Sequence, residues 1–213
     1  MLEYKNLCSI FAKCLMALAL LSGKPAVAGI VMTEAEYVLL PDFCKSQGNV
    51  SNQYFNKYYS AERTNRWQAI MGTNFHHFHH YCWAIVFINR AYKEKGPKGA
   101  GGGALKSAIG DINYVVDRAT PDFVLLPEVF SKLGEAYLLA NDDTSAEKAF
   151  RKAWSINPAY WRAYVWWADR LFRQGKLKEA LTVAEEGQKN APGTRALDVL
   201  VKDIRAAGRK RVQ

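Results

Sequence analysis

The chain has 213 residues, of which 49% are hydrophobic and 13% aromatic, and it carries a formal charge of +9. That apolar and aromatic content excludes intrinsic disorder, and the length suits one domain with a sizeable core. The basic balance suits an acidic partner or an anionic surface as well as plain solubilising charge; the sequence has no base-reading or aromatic–glycine motif, so nucleic acid is not an expected partner.

Residues 1–28 read as a secretory signal peptide. Lys5 and Lys13 precede a short apolar run, Cys14 to Leu21, and Ala26-Val27-Ala28 places small residues where a signal peptidase cuts. The run is less than half the ~20 residues that span a bilayer, and an uncleaved N-terminal anchor is the alternative. Loss of this segment removes three lysines and one glutamate, leaving a charge of +7. The expected location is the bacterial periplasm, although Asn49-Val50-Ser51 would accept a glycan on a eukaryotic secretory route. After cleavage only Cys44 and Cys82 remain, and an oxidising compartment favours a disulfide between them over two buried thiols.

Residues 29–74 carry no repeat and are expected to form an N-terminal cap. Thr33 to Leu40 opens a short helix stopped by Pro41, Ser46 to Ser60 reads as loop, and Glu62 to Met71 is weakly helical up to Gly72. From Phe75 to Lys95 the pattern predicts one long helix, apolar nearly all round and therefore buried. Gly96-Pro97-Lys98-Gly99 stops it, Gly101 to Gly103 continues as a flexible connector, and Leu105 to Ala119 returns as helix.

The second half repeats itself. Phe130, Leu133, Gly134, Tyr137, Ala146, Phe150, Ala153 and Pro158 are followed, each 34 positions later, by Tyr164, Trp167, Ala168, Leu171, Ala180, Ala184, Gly187 and Pro192. This order of large, small, large and proline resembles the tetratricopeptide repeat (TPR), a helix–turn–helix unit of that length. Residues 127–192 hold two such repeats. Residues 75–121 resemble a degenerate first repeat with an enlarged glycine-rich loop. Residues 193–207 supply a capping helix, and 208–213 a basic, frayed tail. The fold class is therefore all-α, an antiparallel helix-pair solenoid. The close crossings fall at Gly134, Ala146, Ala168 and Ala180, with Asp142, Asp143 and Thr144 capping a second helix.

The resemblance implies a concave groove, lined by the first helix of each repeat, that binds a peptide segment of another protein. Its register assigns Glu128, Ser131, Glu135, Leu138 and Leu139 to that face in one repeat. In the next it assigns Arg162, Val165, Asp169, Phe172 and Arg173. The lysine–asparagine set that clamps a terminal carboxylate in some TPR modules is missing here. Arg162 and Arg173 still offer guanidinium groups to an acidic segment. Tyr164 and Trp167 are core by register, whereas Trp161 and Trp166 are less committed.

All four histidines lie in His76-His77-Phe78-His79-His80. On a helix His76, His79 and His80 share one broad face, a spacing that suits zinc or copper, or an axial haem ligand; buried, hydrogen-bonded histidines are the plainer reading. Gly99 to Ala104 matches the dinucleotide fingerprint in letters but follows a helix, and Ala100 to Ser107 misses both phosphate-loop glycines. No nucleophile with a positioned base stands out, so an enzyme is not expected. The reading is a periplasmic protein-interaction or scaffolding module, with a metal- or haem-handling protein built on the histidines as the alternative.

Overall fold

The computed structural model describes residues 31–94 and 101–210. The chain divides into two units, Met1–Thr33 and Glu34–Gln213, and the features below belong to the second. The expected signal segment, the Gly96-Pro97-Lys98-Gly99 stop and residues 211–213 of the tail lie outside the described residues.

Among the described residues there are ten α-helices and no strand. Three short ones come first: α1 (Glu34–Val38), α2 (Asn52–Lys57) and α3 (Ala61–Met71). Helix α2 falls inside the stretch expected as loop. Ser51 accepts a hydrogen bond from the Tyr54 backbone N–H and starts it, and Tyr54 and Tyr58 then pack one turn apart on Tyr37. Gly72 ends α3 with φ +56°, a conformation that suits a residue without a Cβ.

The expected helix from Phe75 does not begin there. Gly72–His77 forms a 3-10 segment, and the α-helix, α4, runs His79–Lys93. The cause is Asn74, whose side-chain amide donates to the Thr120 hydroxyl and accepts from the Thr120 backbone N–H, both at 2.9 Å. This double bond pins the turn before α4 to the far end of the next helix. That helix, α5, spans Gly101–Val116, so Gly101 to Gly103 belong to a helix and not to a connector. Leu105, Ala108, Ile112 and Val115 bury at helical spacing and hold the register against the poor propensity of the glycines.

The repeat region matches its register. Helices α6 (Leu126–Leu139), α7 (Asp143–Ile156), α8 (Trp161–Arg173) and α9 (Leu177–Asn190) form two hairpins. Asp142 caps α7 through the Ser145 backbone N–H, and Gly175, with φ +76°, turns α8 into α9. The last helix, α10, spans Arg195–Lys210; Gly208 to Lys210 continue it where a frayed tail was expected. Successive first helices α4, α6, α8 and α10 lie side by side, as stacked helix pairs require.

Two apolar cores run through the stack, one centred on α4 to α6 and one on α7 to α10, and Phe130 and Tyr137 pack against both. The crossing of α6 and α7 is the tightest point: a Cβ at Gly134 would stand 2.6 Å from the Phe150 ring. In the next pair the corresponding residues are Ala168 and Ala184, both fully buried. A large residue against glycine has become small against small at the same site. Gly134→Ala is accordingly expected to destabilise the fold by about 1–3 kcal/mol. Gly110, whose Cβ would meet nothing within 4 Å, should gain up to about 1 kcal/mol as alanine. Urea denaturation of the two variants checks this; equal effects would disprove the crossing.

Candidate functional site

The expected groove face is shared unequally between its helices. On α6, Glu128 accepts the Tyr81 hydroxyl of α4 at 2.8 Å and also the Tyr160 hydroxyl, which stands just before α8. Glu135 is 5% exposed; it accepts the Tyr92 hydroxyl at 3.1 Å and the Lys132 ammonium at 2.6 Å. Ser131 is buried between them. Much of the polar face of α6 is thus bonded inside the chain, since buried carboxylates are costly unless satisfied.

On α8 the face is open. Arg162 is exposed and lies over the Trp161 ring at 4.7 Å, with no ion pair among the described residues. Arg173 pairs with Asp169 at 2.6 Å, while Val165 and Phe172 are half-buried, as are Leu138 and Leu139 on α6. Trp166 is half-buried and packs against the second core. The structure therefore brings Arg162, Asp169, Phe172 and Arg173 onto one accessible helix and keeps Glu128 and Glu135 for internal bonds.

Where this face begins there is a cleft of ≈ 410 Å³, large enough for a side chain or small group. One wall is Pro41 and Phe43 of the N-terminal cap. The opposite wall is Val124, Leu125 and Pro127, with Glu128 beside them, and Asn157, Tyr160 and Arg162 complete the rim. The Asn157 side-chain oxygen accepts the Ala159 backbone N–H at 3.0 Å, which leaves its NH2 group to donate.

The cap wall is held by covalent and ionic ties. Cys44 and Cys82 form a disulfide with Cα atoms 5.5 Å apart. Arg90 of α4 grips Glu36 through two nitrogens at 2.7 and 2.9 Å. Phe43 packs against Trp67, Phe78 and Tyr81 with ring centroids 5.4 to 6.1 Å apart. Register reasoning missed Phe43, Asn157 and Tyr160. The expected bridge at Cys44 was the signal for Phe43, and the helix-ending Pro158 was the signal for Asn157 and Tyr160.

The histidines do not share one helical face. His76 is exposed on the 3-10 segment, and the His79 Nδ1–H donates to the His76 carbonyl at 3.1 Å. Burial, and then the neighbouring His80, lower the His79 pKa. His80 Nδ1 meets the Asp111 carboxylate at 2.7 Å, and its ring stacks on Tyr114, which Arg118 covers at 3.7 Å. Among the described residues no three His, Cys, Asp or Glu side chains gather around a metal-sized point. The break in the helix at Phe78 is the physical reason that His76, His79 and His80 are not aligned as the α-helical spacing predicted.

The three phenols bonded to Glu128 and Glu135 are pushed up in pKa: Tyr81 well above the ordinary value, Tyr92 and Tyr160 also, by burial first and then by the adjoining Glu128 or Glu135. A raised phenol keeps its proton when folded and loses it when unfolded, so its contribution is complete below pH about 10 and falls as pH rises further. Stability to urea should therefore fall as pH rises above about 10. Tyr92→Phe should flatten that drop, and an unchanged slope in this variant would contradict the assignment.

No family model matches the chain, and no curated protein matches it. Among solved structures it is similar to the first TPR domain of Spaghetti (RPAP3), determined with the HSP90 peptide SRMEEVD. The identity is 22%, the TM-score is 0.43, and the match covers 60% of this chain and 96% of that one. At that identity and TM-score the likeness carries no information about what this chain binds.

Proposed function

We propose that the chain is an exported protein-interaction module that takes an extended segment of a partner along α8 and the adjoining part of α6. The observation that carries this reading is the cleft at the start of that face. Three separate stretches of chain build it, its walls are apolar, and Asn157 and Arg162 supply donors at its rim. From the cleft, half-buried Val165, Asp169 and Phe172 and exposed Arg173 continue along α8. An apolar anchor followed by mixed charge suits a peptide segment, whose backbone lies over the face while single side chains enter pockets.

The test uses the full chain, tagged and recovered from the exported fraction of its host. Arg162→Glu with Phe172→Ala is expected to lower partner recovery at least about tenfold, while Gly110→Ala leaves it unchanged. Partners retained by the double variant would show that they bind elsewhere.

Export to the bacterial periplasm is part of the same proposal. The signal-like residues 1–28 and the bridge between the two remaining cysteines support it, because disulfides persist in oxidising compartments. Peptide mapping of the exported protein without reductant should recover Cys44 linked to Cys82. The bridge closes a separation of 38 residues, so Cys44→Ser with Cys82→Ser should cost on the order of 4 kcal/mol. Two free thiols in the exported protein would sink this part of the reading.

A further inference from the structure

Helix α3 is fastened to the rest of the molecule by little. It packs chiefly on two 3-10 segments, Cys44–Ser46 before it and Gly72–His77 after it. Only Arg63, Thr64, Trp67 and Met71 of its residues are not exposed, and at helical spacing these four lie on one face. That inward face is mostly polar and unsatisfied. Among the described residues Arg63 Nε, Thr64 Oγ1 and Trp67 Nε1 are buried without a hydrogen-bond partner. Nε2 of Gln47, which is 4% exposed and directly follows Cys44–Ser46, is buried without one as well. Buried polar groups left unmet favour any state that returns them to water. The one ion pair from α3 to the cap among the described residues, Arg66 to Asp42 at 2.9 Å, is exposed on both sides and holds weakly.

The neighbours of α3 are secured by stronger means. Cys82 and Arg90 tie the cap to α4, and Asn74 pins the turn after α3 to Thr120. We propose that α3 opens as a unit between Ser60 and Gly72 while these ties keep the remainder closed, and that its opening regulates the partner cleft. Trp67 carries the link. Its ring meets Phe43 edge-on with centroids 5.5 Å apart, and Phe43 is a wall of that cleft. The bridge at the adjacent Cys44 keeps Phe43 on the molecule when Trp67 leaves. With α3 in place the Phe43 ring is fixed from outside. With α3 open the ring turns freely and the cleft admits a larger side chain. That regulation rests on the partner-site reading of the cleft, whereas the opening of α3 does not.

The experiment uses the full exported chain with its disulfide intact and needs no partner. Native-state hydrogen exchange should show the α3 amides exchanging at least about 100-fold faster than those of α6. Thr64→Val keeps the shape of the side chain and removes an unmet hydroxyl. It should slow α3 exchange at least about fivefold and leave α6 unchanged. In relaxation dispersion the α3 amides, the Phe43 ring and the Asn157 side-chain amide should report one common rate. Protection of α3 equal to that of α6 overturns the proposal, as does exchange unaffected or accelerated by Thr64→Val. A Phe43 ring and an Asn157 amide that do not share the α3 rate overturn the link to the cleft. Partners indifferent to Arg162→Glu with Phe172→Ala would remove the docking face and leave the opening of α3 standing.

Discussion

The approach of Phe150 to Gly134 sets the geometry on which the rest of the stack depends. Because the ring occupies the space a Cβ would need, α6 and α7 cross closely and the pair presents α6 at a fixed depth. The next pair has Ala168 and Ala184, both fully buried, at the same two register positions. Interiors are packed near crystal density, so a volume removed on one helix has to be supplied on its partner. Gly187 repeats the device at the outer joint, where a Cβ would come within 2.8 Å of Tyr164 and 3.0 Å of Leu197.

The side-by-side placement of α4, α6, α8 and α10 does not leave one continuous groove. Helix α4 spends its side of the face on contacts within the chain: Tyr81 and Tyr92 reach Glu128 and Glu135, Arg90 grips Glu36, and Cys82 is bonded to Cys44. The two phenols tie α4 to α6, while Arg90 and Cys82 tie it to the N-terminal cap, so polar groups that a repeat array would offer to partners are bonded within the chain. What remains accessible is displaced toward α8, and the cap supplies one wall of its first cleft. A segment without any repeat pattern thus shapes the surface that the repeats present.

The two helix pairs α6 to α9 were legible because the signals that define them are local: a 34-residue period, capping side chains and prolines at helix ends. The disulfide was legible from compartment and count. The fate of the groove carboxylates was not, because the phenols that hold Glu128 and Glu135 lie 47 and 43 positions away in the chain. The same is true of α4. Its pattern is helical from Phe75, but Asn74 answers to Thr120, 46 positions on, and the histidine run is divided between two kinds of helix as a result. Glycine composition misled in the opposite sense at Gly101 to Gly103, where buried neighbours later in α5 decide the conformation.

Helix α10 begins 34 positions after α8, so it stands where the first helix of a further repeat would stand. Its counterparts of Ala168 and Leu171 are Lys202 and Arg205, both exposed. No second helix can close at van der Waals distance on a lysine at the crossing point without stranding its charge. Lys202 and Arg205 therefore keep the crossing face of α10 turned to solvent, where the same positions of α8 are buried against a second helix.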